Sequence, residues 1–211
     1  MLVDLTIKQF LERVASGEPV PGGGSVAALA AALSASLSEM VARLTLGRKS
    51  DPALDEKMSG LIDEASRLRT RLVSDVDGDS DAYAAVMKAY RMPKGTDEEK
   101  DVRKAAVRHA LKNAARVPLS VAEAGIALLK LAGTAVAEGN SSAVTDGLVA
   151  ALTARSAVIG ALYNVRINLA SIDDSAFRED MARRVDTLEK EAVKMEKDLL
   201  SLAESVIKKH I

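Results

Sequence analysis

Apolar and small residues recur at three- and four-residue intervals along nearly the whole chain, and no stretch alternates as a half-buried strand does. The pattern therefore predicts helix throughout, and the breaks can be read from capping residues. Thr6 followed by Gln9 opens a short first helix that runs to about Ala15. "SGEPVPGGG" interrupts it, and Ser25 is the expected N-cap of a second helix. Asp51 followed by Pro52 starts a third, which runs toward "MPKGT" with a kink expected at Gly78. Thr96 and Glu99 form a capping box for a fourth, which "VP" at Val117–Pro118 should end. A fifth then spans Pro118 to about Ala137, "EGNSSAVTDG" loops into a sixth near Thr145, and "SIDDS" precedes a charged, amphipathic last helix.

Two of these helices differ from the others. "SVAALAAALSASLSEMVARL" carries small residues on every face, and "AALTARSAVIGALYNVRINLA" is charged only at Arg155 and Arg166. Helices of this kind pack on several sides. The expected fold is all-α: one domain over residues 1–211, a multihelical bundle whose two central small-residue helices are wrapped by amphipathic ones. At 211 residues such a domain buries roughly 70% of its unfolded surface and needs no disulfide or metal to stand.

Composition narrows the chemistry. There is no cysteine, which removes thiol catalysis and thiolate metal sites and fits a cytoplasmic location. With His109 and His210 the only histidines, a histidine-rich metal centre is not expected. Lys and Arg total 29 against 30 Asp and Glu, and aromatics are 2%, so neither a basic nucleic-acid footprint nor a base-stacking surface is foreseen. The first residues lack a basic-then-apolar targeting pattern. Val26 to Leu46 is long enough to span a membrane, but Glu39 and Arg43 interrupt it, so a buried helix is the expectation.

Three segments can carry chemistry. In "SDVDGDSDAY", helical spacing puts Asp75 and Asp79 on an otherwise apolar stripe with Leu68, Leu72, Tyr83 and Val86, while Asp77 and Asp81 fall on a polar one. An inward carboxylate is costly unless paired, so either a salt bridge to Arg155 or Arg166 or a functional carboxylate is expected. In "YNVRINL", Asn164 and Asn168 stack four apart above Gly160 and Ala157. That face suits a flat polar heterocycle or, equally, a helix–helix hydrogen-bond pair. "EGNSSAVTDG" offers Asn140, Thr145 and Asp146, which most simply are caps. "PGGGS" fits neither a phosphate-binding P-loop nor a dinucleotide fingerprint. It does offer bare amides at a helix start, a place for a carboxylate or closely approaching ligand, or merely a turn.

These segments occur in an order that resembles the formiminotetrahydrofolate cyclodeaminase family: "FLERVASGEPVPGGGSVAALAAALSASLSEMVARLTLGRK", "DSDAYAAVMKAYRMPKGTDEEK", "EGNSSAVTDG" and "GALYNVRINL". The resemblance covers nearly the whole chain and has no counterpart of the family's formiminotransferase half. It implies an all-helical, homodimeric folate enzyme without metal or other cofactor, acting on a small-molecule tetrahydrofolate derivative and on neither nucleic acid nor membrane. The reaction implied is closure of 5-formiminotetrahydrofolate to 5,10-methenyltetrahydrofolate with loss of ammonia. Some relatives instead interconvert 5,10-methenyl- and 10-formyltetrahydrofolate, and the missing transferase half leans toward that cyclohydrolase. A non-catalytic folate-binding helical protein is the third reading.

The family's essential aspartate maps onto Asp79, with Ser80 where alanine is common. Gly22, Gly23, Gly24 and Ser25 are expected to form a wall of the pocket, and Asn140, Asp146, Asn164 and Asn168 to meet the heterocycle or amidine. Arg48, Lys49 or Lys94 are candidates for the anionic glutamate tail.

Overall fold

A computed structural model describes residues 1–48 and 50–207. Lys49 and His210 lie outside the described residues. Six α-helices and two 3-10 turns account for the regular structure of that region, and no strand occurs in it. The helices are α1 (Ile7–Val14), α2 (Gly23–Arg43), α3 (Pro52–Tyr90), α4 (Asp97–Glu138), α5 (Val144–Leu169) and α6 (Ser175–Ile207).

The local start signals hold. Thr6 accepts from the Gln9 amide and Thr96 from the Glu99 amide, both with the reciprocal glutamine or glutamate bond, and Asp51 accepts from Ala53 and Leu54 ahead of Pro52. Each satisfies amides that the first turn leaves without intrahelical partners. Two expectations change. The helix of "GGGS" begins three residues early, with Gly22 as N-cap, so Ser25 lies inside the first turn and caps nothing. α3 also continues through Gly78 as helix.

The larger departure is at Pro118. The fourth and fifth helices expected from sequence are one, the 42-residue α4, with Pro118 buried inside it. Proline removes one amide donor and so leaves the carbonyl four residues back without a partner. That carbonyl belongs to Ala114, and Asn168 on α5 donates to it through Nδ2 at 2.8 Å. A side chain from another helix replaces the missing bond, and the helix runs on.

α2 packs against α3, α4 and α5, while α6 lies on α4 and α5. The core they share is built largely from alanine, with Ala28, Ala31, Ala35, Ala115, Ala122, Ala132, Ala150, Ala154 and Ala161 all fully buried. Small side chains let the helix axes come close. A β-carbon on Gly125 of α4 would stand 2.5 Å from the Val158 Cγ2 of α5. The wrapping is one-sided, however. Val26, Leu33 and Met40 on α2 and Val149, Leu152, Tyr163 and Ile167 on α5 stay exposed, Ile167 at 69%. By length and hydropathy alone α2, α4 and residues 141–169 could each cross a membrane, yet 61% of the apolar window of α2 is buried inside the protein.

Candidate active site

The glycines preceding α2 meet the acidic run of α3 at one point, Asp79. Its carboxylate accepts from the Ser25 amide at 3.1 Å and lies 3.5 Å from the Ser25 hydroxyl. The N-cap of α2, Gly22, has no side chain to offer. A carboxylate from α3, 54 residues away in sequence, therefore serves the open amides of α2 and sits at the positive end of its dipole. Ser25 is fully buried and donates its hydroxyl to the Val76 carbonyl at 2.7 Å, which ties α2 to α3 just below the carboxylate. Ser80 adds a second hydroxyl 3.3 Å from that of Ser25.

Gly24 makes the approach possible. A β-carbon there would lie 2.0 Å from the Asp79 Oδ1 and 2.3 Å from its Cγ. Gly23 is less constrained, since its β-carbon would stand 3.4 Å from the Asn164 Nδ2, ordinary contact.

No cation among the described residues pairs with Asp79. Arg155 pairs with Glu196 at 3.1 Å, and Arg166 with Glu189 at 2.8 Å and Asp186 at 3.4 Å, so the salt bridge considered for Asp79 is not formed. Loss of solvation pushes its carboxyl above the ordinary range, opposed by the backbone and hydroxyl bonds of Ser25. Asp75 is also raised by burial, but it sits 3.5 Å from Arg71 on its own helix. Asp77, expected to be solvated, accepts from the Leu2 amide at 2.6 Å and holds the N-terminal 3-10 turn.

A cavity of about 210 Å³ opens above Asp79, lined by Pro19, Val20, Gly22, Gly23, Gly24, Ala82, Tyr83, Ala114, Asn164 and Asn168 besides the aspartate. The structure thus gathers the three glycines, Asp79 and the "YNVRINL" asparagines, with Ser25 directly behind. Each asparagine uses its amide nitrogen within the protein: Asn164 donates to the Gly160 carbonyl at 2.9 Å and Asn168 to the Ala114 carbonyl. Their side-chain oxygens accept from no described residue, leaving the pocket two acceptors.

Asn168 thus has a structural duty that can be tested. Asn168→Ala should cost about 1–2 kcal/mol in denaturant unfolding, because the Ala114 carbonyl loses its partner. In a Pro118→Ala background the restored amide can serve that carbonyl, so the same change should cost much less. Equal costs in both backgrounds would refute the account.

Asn140 and Asp146 are not in this pocket. Asn140 caps the 3-10 turn by accepting through Oδ1 from the Ser142 amide, and its backbone N–H donates to the Thr45 hydroxyl at 2.9 Å. Those contacts lie past the C-terminal end of α2, a 21-residue helix and so about 30 Å from the glycines. Asp146 sits in the first turn of α5 at that same end. Tyr83 and the Pro19–Val20 turn are pocket residues the sequence did not single out. Tyr83 was legible on the Asp79 stripe, whereas nothing local marked Pro19 and Val20.

A family model described as formiminotransferase-cyclodeaminase matches residues 6–187. A methenyltetrahydrofolate cyclohydrolase of Methylorubrum extorquens is 37% identical over 187 residues, 89% of this chain and 90% of its own. A formimidoyltransferase-cyclodeaminase of Rattus norvegicus is 39% identical over 191 residues, which span 90% of this chain but 35% of the rat protein. A crystal structure of formiminotetrahydrofolate cyclodeaminase from Thermotoga maritima superposes with a TM-score of 0.86 at 28% identity, covering 98% of this chain and all of that one.

Proposed function

The chain belongs to the formiminotransferase-cyclodeaminase family, and from that premise we propose that the Asp79 pocket binds the pterin of a tetrahydrofolate and closes 5-formiminotetrahydrofolate to 5,10-methenyltetrahydrofolate. The observation that carries the proposal is a half-buried carboxylate without a counter-cation among the described residues, beside a cavity sized for a bicyclic heterocycle. N10 attacks the formimino carbon, and its C=N double bond becomes single. The N10 proton passes to the Asp79 carboxylate, and Asp79 returns a proton to the exocyclic nitrogen. With one further proton from solvent, that nitrogen leaves as ammonia while N5 and N10 share the methenyl cation. A carboxyl whose affinity for protons is raised suits this carrier role. The side-chain oxygens of Asn164 and Asn168 suit the amino and ring N–H donors of the pterin. Asn140 and Asp146 have no part in this pocket within one chain.

A second reading has its own support in the Methylorubrum extorquens relative, which is matched over nine-tenths of its length. In a cyclohydrolase the same carboxylate takes one proton from water as it adds to the methenyl carbon; the remaining hydroxyl proton then passes to N5, whose bond to carbon breaks as the carbon becomes the formyl carbonyl on N10. Both reactions are followed through the absorbance of 5,10-methenyltetrahydrofolate. Its accelerated appearance from 5-formiminotetrahydrofolate supports the cyclodeaminase, its accelerated loss alone the cyclohydrolase. No change in either direction refutes both.

The reading calls for no metal or nucleotide cofactor and for a cytoplasmic, homodimeric protein. The uncharged stripe left exposed on α2 and α5 supports the dimer, since a patch of that kind usually meets another protein surface. Leu33→Glu combined with Ile167→Glu should convert the dimer to a monomer in light scattering. An unchanged mass would place the interface elsewhere.

A further inference from the structure

A second cavity, about 360 Å³, lies farther along the same three helices. Tyr90 of α3 lines it two turns beyond Tyr83, Leu111 of α4 one turn from Ala114, and Ile172 one turn beyond Asn168. The two cavities thus follow one another along these elements, and the seven residues from Tyr83 to Tyr90 span about 10 Å. Their character differs sharply. The first holds a lone carboxylate, whereas the second is lined by Lys100, Arg103, Lys104 and Arg108 against Asp173 alone.

Those four cations fall at helical spacing on one face of α4, a pattern that by sequence reads as a solvated stripe. Two of them are already engaged. Arg103 donates to the Tyr90 carbonyl at 3.1 Å, closing the end of α3, and Lys100 pairs with Asp97 at 2.8 Å. Lys104 donates to no described residue. Arg108 feels Asp174, which is itself committed to Lys112 at 2.6 Å. A concave site with four cations, two of them unspent, is built for an anion bearing more than one carboxylate.

We propose that this cavity seats the glutamate end of the substrate, with Lys104 and Arg108 as the principal donors to its carboxylates. The assignment rests on the folate reading of the Asp79 pocket. A tetrahydrofolate carries its pterin and its glutamate on opposite sides of a para-aminobenzoyl spacer, whose length matches the offset of about 10 Å along α3 between Tyr83 and Tyr90. Tyr83 and Tyr90, on one face of α3, flank the path such a ring would take. Arg48 is thereby replaced as a candidate: it follows the C-terminal end of α2, remote from both cavities. Lys94 lies in the α3–α4 turn and lines neither.

The test pairs a double variant with two substrates. Lys104→Ala with Arg108→Ala should raise KM about tenfold for the glutamyl substrate, the size expected of two partly exposed ion pairs, with little change in kcat. For the analogue built on tetrahydropteroate, which lacks the glutamate, KM should change less than twofold. Equal effects on both substrates, or none on either, would overturn the assignment.

Calorimetry with para-aminobenzoyl-triglutamate separates this from failure of the folate chemistry. Wild type and Asp79→Asn should both bind the fragment, and the double variant should bind it at least tenfold more weakly. Binding unaffected by the double variant overturns the tail seat while leaving the Asp79 proposal standing. A wild-type protein that neither turns over folates nor binds the fragment overturns both.

Discussion

Asp79→Asn should lower kcat by about 10²–10⁴-fold, the usual worth of a positioned proton carrier, while KM changes little. Asparagine keeps the shape and can still accept from the Ser25 amide, so the fold and the wall of the pocket should survive. It cannot carry the proton. A rival role, in which the carboxylate only grips the pterin, predicts the opposite split, with KM rising and kcat largely kept.

The same variant should also be more stable at neutral pH. Burial raises the Asp79 carboxyl above its unfolded value, so the folded state holds this proton more tightly than the unfolded chain. Its contribution to stability is fully present below the unfolded pKa and is lost as pH rises through the folded one. Tm of Asp79→Asn minus that of wild type should therefore grow as pH is raised across that window. A difference independent of pH would mean that Asp79 is not strained by burial. A gain in stability at the expense of turnover is the exchange expected at a working site.

Gly24→Ala is the second large effect. The new β-carbon would stand 2.0 Å from the Asp79 Oδ1, a distance no real contact tolerates. The carboxylate is the end of a short side chain, so it can swing aside and the fold should persist. The Ser25 amide then loses its acceptor, at a cost of about 0.5–2 kcal/mol, like loss of a helix cap. Turnover should fall nearly as far as in Asp79→Asn, and the two changes combined should cost little more than either alone, because both remove the same group. Gly23→Ala meets only ordinary contact and should be mild by comparison. If Gly24→Ala retained near-normal kcat, the close approach of Asp79 to α2 would have no catalytic meaning.

What the sequence determined by itself was local. Thr6, Asp51 and Thr96 satisfy amides two or three residues away, so the starts of α1, α3 and α4 are written in adjacent letters. Face arguments within one helix were equally legible, which is why Asp75 and Asp79 could be set apart from Asp81 before any fold was known. The order of four motifs sufficed to place the chain in its family.

Where a group's partner lies far along the chain, only packing could decide. Pro118 ends a helix by every local rule, yet α4 continues because Asn168, 54 residues from the Ala114 carbonyl it serves, supplies the donor that proline lacks. Ser25 looked like a cap until the carboxylate of Asp79 took that role from another helix. Asn140 and Asp146 shared a motif list with Asn164, but α2 and α5 are rigid rods, and a rod of 21 residues holds its ends about 30 Å apart. The four cations of α4 were not singled out from sequence, because a helix's own sequence does not record the concavity its neighbours create. Local hydrogen bonds follow from spacing, whereas the use of a half-buried carboxylate or an orphaned carbonyl follows from which helix stands opposite.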